Sequence, residues 1–248
     1  MSVPISPPAR SPFALLLLSF CAFSCLLLSP VLAQQKGNSQ KGATQNPTGL
    51  QVGVAPEGAG ELPPGTEELS RQGALASADQ NWKRAKLIYE EMLVIAPTNP
   101  LALSNLGAVE FRLGNMRRAE ELMIRSTEIA PELAQNWMTL GLIYFDQGKD
   151  MLAISALGRA LHEDPNDPRI HNFMGVVIRE QGWIVGSELE LQRALLLDPT
   201  YADAHYNLAV MYMDKNLIEL AKRHYNLAIE NGAQPDKTLE SELASKGK

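Results

Sequence analysis

AQNWMTLGLIYFDQGKDMLAISALGRALHEDPND, residues 134–167, decides the fold. Its first half sets apolar side chains at helical spacing up to Phe145, and Gly148 supplies a residue that accepts the left-handed conformation ending a helix. A second helical pattern then runs to Pro165, which cannot continue it. The same plan recurs along the chain, because Pro97, Pro131, Pro165 and Pro199 stand 34 residues apart. A fixed period in the mid-thirties marks an array of short helical pairs, none of which buries its own apolar face alone. Aligned on the prolines, five blocks appear: 66–99, 100–133, 134–167, 168–201 and 202–235.

Small residues recur where two helices must touch. Gly73, Gly107, Gly141 and Gly175 fill the eighth position, with Ala209 in the last block. Ala85, Ala119, Ala153, Ser187 and Ala221 fill the twentieth. Larger side chains there would hold the paired backbones apart. The turn inside each pair carries Gly114, Gly148 and Gly182, with Asn216 in the fifth block. Asp167-Pro168 offers a helix cap followed by proline in the first turn. After Pro235, Leu239 and Leu243 begin a further helical pattern, read as a capping helix and tail over 236–248 that covers the last block.

The N-terminal region differs in kind. Residues 1–33 read as a signal peptide: Arg10, an apolar run from Phe13 to Leu28, then Ser29-Pro30 and the small-residue end Val31-Leu32-Ala33, with cleavage expected after Ala33. A retained anchor and a lipoprotein cut at Cys25 are the alternatives. Cys21 and Cys25 are the two cysteines of the chain, so the cleaved protein would have neither disulfide nor thiolate site. Residues 34–65 are polar and rich in Gly and Pro, and read as a disordered linker or a segment that orders on binding. The expected location is the periplasm or cell envelope, with membrane contact only through an uncleaved signal segment.

The third block carries the fixed residues of a known family: Trp137, Leu140-Gly141, Tyr144, Gly148, Ala153, Leu157, Ala160 and Pro165. The fifth repeats much of the set in Leu208, Tyr212, Ala221, Tyr225 and Ala228, with its Pro235 late. The first departs most, with Gln72 and Ala76, as an end unit facing solvent does. Over 66–235 the chain resembles the tetratricopeptide repeat (TPR) proteins. The resemblance implies an all-α, right-handed solenoid of five helical hairpins, and a concave face lined by the first helix of each.

On that map the groove residues are Asn105, Phe111 and Arg112 in the second unit, and Met138 and Phe145 in the third. The fourth offers Arg169, Asn172, Phe173 and Arg179, and the fifth Tyr206, Asn207 and Met213. Aromatic rings and methionines give adaptable apolar contact. Each asparagine carries a donor and an acceptor suited to an extended peptide backbone, and each arginine suits a carboxylate. Ser70, Ser104 and Met138 stand where some relatives carry the lysines that clamp chaperone C-termini, so that activity does not carry over.

Other chemistry is not indicated. The chain has 22 basic and 28 acidic side chains, a net charge of −6, which repels phosphate backbones and argues against nucleic acid. No phosphate loop, zinc-protease helix or nucleophile elbow occurs, and no cofactor or metal is expected. Among the four histidines, His171 and His205 share the fourth position of their blocks and read as packing residues; His162 and His224 lack ligand spacing. The function expected is non-catalytic binding of a protein or peptide by an envelope scaffold. The alternatives are a pilus or secretion-machinery assembly factor, or a structural protein that forms homo-oligomers through exposed Trp82 and Trp183.

Overall fold

The structure, a computed structural model, describes residues 65–246. The signal peptide and most of the linker lie outside these residues. The described chain divides into two compact units, one ending at Pro131 and one beginning at Glu132. All regular structure among the described residues is helical.

The first unit holds α1 (Thr66–Ala78), α2 (Trp82–Ile95), α3 (Pro100–Arg112) and α4 (Met116–Ile129). Asn81 caps α2 by accepting from the Arg84 N–H at 3.2 Å, and Asn99 caps α3 by accepting from the Ala102 N–H at 2.9 Å. Both second helices stop two residues before a proline. Proline excludes the helical region for the residue ahead of it. Ala96 (φ −132°, ψ 79°) and Ala130 (φ −131°, ψ 73°) are accordingly unwound. The 34-residue period is therefore written by a local steric rule.

The core of this unit joins Ala76, Ile88, Tyr89 and Met92 to Leu103, Leu106, Val109 and Leu122. Gly73 lets α1 lie against α2. A Cβ there would stand 2.6 Å from the Tyr89 ring. Glu110 is buried at the eleventh position of its block, where Tyr144 stands in the third block. Its carboxylate accepts from Lys86 Nζ at 2.9 Å and from Asn115 Nδ2 at 2.6 Å, which satisfies the charge. Trp82, expected exposed, is corrected here: it packs partly buried against this core, and the Arg112 guanidinium lies 5.5 Å from its ring centroid.

The second unit holds α5 (Ala134–Asp146), α6 (Asp150–Glu163), α7 (Pro168–Glu180), α8 (Ile184–Leu197), α9 (Ala202–Asp214), α10 (Ile218–Glu230) and α11 (Lys237–Lys246). Asp167 caps α7 by accepting from the Arg169 N–H at 2.9 Å, with Pro168 in the first turn. Asp164 and Asp198, each ahead of a proline, leave the helix as Ala96 does. Within the α9–α10–α11 end, Leu208, Met211, Tyr212, Ala221 and Tyr225 form one core with Leu239 and Leu243 of α11. Polar contacts fasten α11 as well: Tyr206 Oη donates to Asp236 Oδ2 at 2.6 Å, and Tyr225 Oη accepts from the Asp236 N–H at 2.8 Å and donates to Glu240 at 3.0 Å.

Gly114, Gly148 and Gly182 end the first helices with φ between 77° and 80°. Asn216 (φ 57°) does so in the last pair, and Gln80 (φ 56°) in the first. Gln80 was not singled out in the sequence, because glutamine gives no local signal for this conformation.

Candidate functional site

The first helices of the pairs present the predicted groove residues, and the two units hold them separately. In the first unit, Asn105 and Phe111 on α3 are buried, and Arg112 at its end is half-buried over Trp82. In the second unit, Met138 and Phe145 on α5, Asn172 and Phe173 on α7, and Asn207 and Met213 on α9 are all buried. Arg169, Arg179 and Tyr206 are intermediate.

The structure assigns several of these side chains internal partners. Arg169 forms a two-pronged pair with the carboxylate of Asp167, its Nε 2.9 Å from Oδ1. Arg179 lies 3.4 Å from Glu180. Tyr206 reaches Asp236, as described above. These pairs reduce the cationic character that the sequence suggested.

One contact among the predicted residues is of another kind. Asn207 Nδ2 donates to Asn172 Oδ1 at 2.7 Å, linking α9 to α7. Asn172 is 0% exposed and Asn207 1%. Each amide has a donor and an acceptor end, so one hydrogen bond leaves one of each over. Those atoms, Asn172 Nδ2 and Asn207 Oδ1, are fully buried and have no partner. Turning both amides over would exchange their roles and again leave one donor and one acceptor. Burying such groups unpaired costs stability.

Two further clusters escaped the sequence reading. His171 on α7 and His205 on α9 both donate Nε2–H to a proline carbonyl, Pro165 at 3.0 Å and Pro199 at 3.1 Å. The other ring nitrogen of His171 meets Glu190 Oε2 at 2.7 Å on α8. That hydrogen bond raises the His171 pKa above its ordinary value, against the effect of burial. At the same register, His205 meets His224 on α10. The 34-residue offset between Glu190 and His224 was the available signal. Second, Glu188 on α8 accepts from Tyr212 Oη at 2.9 Å and from Lys215, tying α8 to α9 and its following turn. These bonds lower the Glu188 pKa, Lys215 being the larger cause.

Among the described residues, no three His, Cys, Asp or Glu side chains converge to hold a metal ion, and no helix is long and apolar enough to cross a membrane.

A tetratricopeptide repeat family model matches residues 202–231, the α9–α10 pair. No curated protein matches the chain. Among solved structures, PilF of Pseudomonas aeruginosa superposes with a TM-score of 0.64 at 17% identity, over 73% of this chain and 88% of that one. MamA from residue 41 of Desulfovibrio magneticus RS-1 does so with a TM-score of 0.58 at 18% identity, over 68% and 96%. YrrB, described as a TPR protein with an unusual peptide-binding site, gives a TM-score of 0.53 at 24% identity, over 71% and 89%. The fold of the described residues is thus all-α, built of paired helices that resemble tandem tetratricopeptide repeat units.

Proposed function

We propose that this protein is a non-catalytic scaffold that serves the assembly of a larger protein machine, holding an extended segment of a partner against its first helices. The observation that carries the reading is the Asn172–Asn207 pair, whose spare donor and acceptor are buried without partners on two neighbouring first helices. A peptide unit in extended conformation offers an N–H and a C=O that match such a pair, and reaches it by displacing the side chains that cover it in the free chain. Phe173 on α7 and Met213 on α9 are apolar and buried on the same two helices. The likeness to PilF and MamA supports an assembly role, and the peptide-binding site of YrrB supports this mode of binding. In this reading the chain is exported and acts at the cell envelope after cleavage behind Ala33.

Selection from a random peptide library tests the mode of binding. The wild-type chain enriches linear peptides, and Asn172→Leu/Asn207→Leu does not. Equal enrichment by both, or none by either, overturns it.

A second reading, self-association, is favoured by α8. Val185, Leu189 and Leu196 are exposed there, Val185 at 74% and Leu196 at 70%, as is Trp183 at its N-cap. Light scattering across concentration tests it: a mass that stays monomeric removes this reading.

A further inference from the structure

We infer that His205 and His224 form a two-imidazole site for a divalent transition-metal ion of the nickel or copper type. The two Nδ1 atoms stand 3.0 Å apart, with ring centroids at 5.2 Å. His205 is the better defined of the two. Its Nε2–H is committed to the Pro199 carbonyl, so in the neutral ring Nδ1 carries a lone pair aimed at His224. A backbone carbonyl fixing the far nitrogen is the usual support of a metal-binding imidazole, because it sets both tautomer and orientation.

The neighbouring pair of helices shows what is unusual. His171 has the same register and the same proline-carbonyl support, but its Nδ1 faces Glu190. A carboxylate there accepts the ring N–H and closes the site. In the α9–α10 pair a second imidazole replaces the carboxylate, and two basic nitrogens face each other across one hydrogen. When His224 takes its other tautomer, with the proton on Nε2, two lone pairs are directed at the same small space.

The spacing fits one kind of coordination. Nitrogen ligands lie about 2.0–2.1 Å from such an ion, so two at a right angle stand about 3 Å apart. The observed separation therefore suits adjacent positions of a tetragonal or octahedral shell without backbone movement. His224 is only half-buried, so its ring can turn and solvent can fill the remaining positions.

The groups around the pair bear on occupancy. From α9, the Tyr212 ring lies 5.4 Å from His224, with its hydroxyl held by Glu188. From α10, Arg223 disfavours positive charge on His224. Coordination uses the neutral imidazole, so binding is expected to weaken as the pH falls. Arg223 also opposes the bound cation, which together with only two protein ligands makes the site one of modest affinity. An ion shared by α9 and α10 would staple the last helical pair.

The test uses the untagged full chain, its Cys21 and Cys25 thiols alkylated, titrated calorimetrically with nickel chloride. The expected result is one saturable site whose affinity falls at least about tenfold in His224→Gln, as losing a ligand costs no less than losing its outer support. His162→Gln leaves it unchanged. Copper(II) on the wild-type chain gives an electron paramagnetic resonance spectrum with hyperfine structure from two nitrogens, a readout that needs no variant to fold. Equal affinity of wild type and His224→Gln, absence of saturable binding, or a spectrum without two-nitrogen coupling overturns the proposal.

Discussion

Asn207→Leu should destabilise the protein, whereas Asn172→Leu/Asn207→Leu should not. The single change leaves Asn172, which has no exposed surface, with neither end of its amide satisfied. An unpaired buried polar group costs about 1–3 kcal/mol, so about 2 kcal/mol is expected. Asn172→Leu strands Asn207 and should cost a similar amount. Replacing both removes both desolvation penalties and puts two branched apolar side chains of like shape in their place. The double variant should lie within about 1 kcal/mol of wild type, with overpacking setting the lower limit. The coupling is then about 3 kcal/mol, the upper end for side chains in contact. Urea unfolding followed by far-ultraviolet circular dichroism measures all four proteins. Amide exchange in α7 and α9 checks that the loss is local, since repeat arrays do not unfold as one unit. A double variant that loses the sum of the two single effects would refute the reasoning, because the spare donor and acceptor would then have partners after all. A stable double variant that fails to bind would show stability given up for recognition.

Gly73→Ala should be costlier than Gly107→Ala: the new Cβ meets the fully buried Tyr89 ring at 2.6 Å in the first case and the flexible end of Met123 at 3.2 Å in the second. Overpacking of about 1–3 kcal/mol outweighs the gain in helix propensity for Gly73 and roughly balances it for Gly107, as melting temperatures will show. Gln80→Gly should stabilise by about 1 kcal/mol, because Gln80 holds φ 56° without glycine's freedom; an unchanged or lower urea midpoint would contradict this. The His171 pKa is raised by Glu190 in the folded protein, so the pair stabilises fully below the unfolded value of 6.5 and fades as pH rises through the folded value. The stability gap between wild type and His171→Gln should accordingly shrink from pH 6 to pH 9, and a gap that widens would refute the sign.

What the sequence made legible follows from how locally each signal acts. Pro97, Pro131, Pro165 and Pro199 dictate the backbone of the residue before them, so helix ends could be placed from spacing alone. Gly141 and Leu157 belong to one helical pair, and the need for a small residue opposite a large one is written within a single block. Gln80 adopts the same turn as Gly148 only because the surrounding helices impose it, so no residue type announced it. From the sequence, helix register gives an expectation for the groove residues, and their partners are less readable from it. Arg169 turns to Asp167 two residues away, and Tyr206 to Asp236 thirty residues away. Asn172 and Asn207 occupy different positions in their blocks, so the repeat alignment does not pair them. His224 was passed over because its partner lies on another helix, 19 residues away, outside the spacing of a sequential ligand motif.

The central claim is tested most directly by a crosslinked pull-down from cells of the native source, comparing the wild-type chain with Asn172→Leu/Asn207→Leu of equal stability. The account predicts a discrete set of partner proteins with wild type that is lost with the variant, and a crosslinked partner peptide mapping to α7 or α9. An identical partner set for both proteins, or crosslinks confined to the second helices, would contradict it.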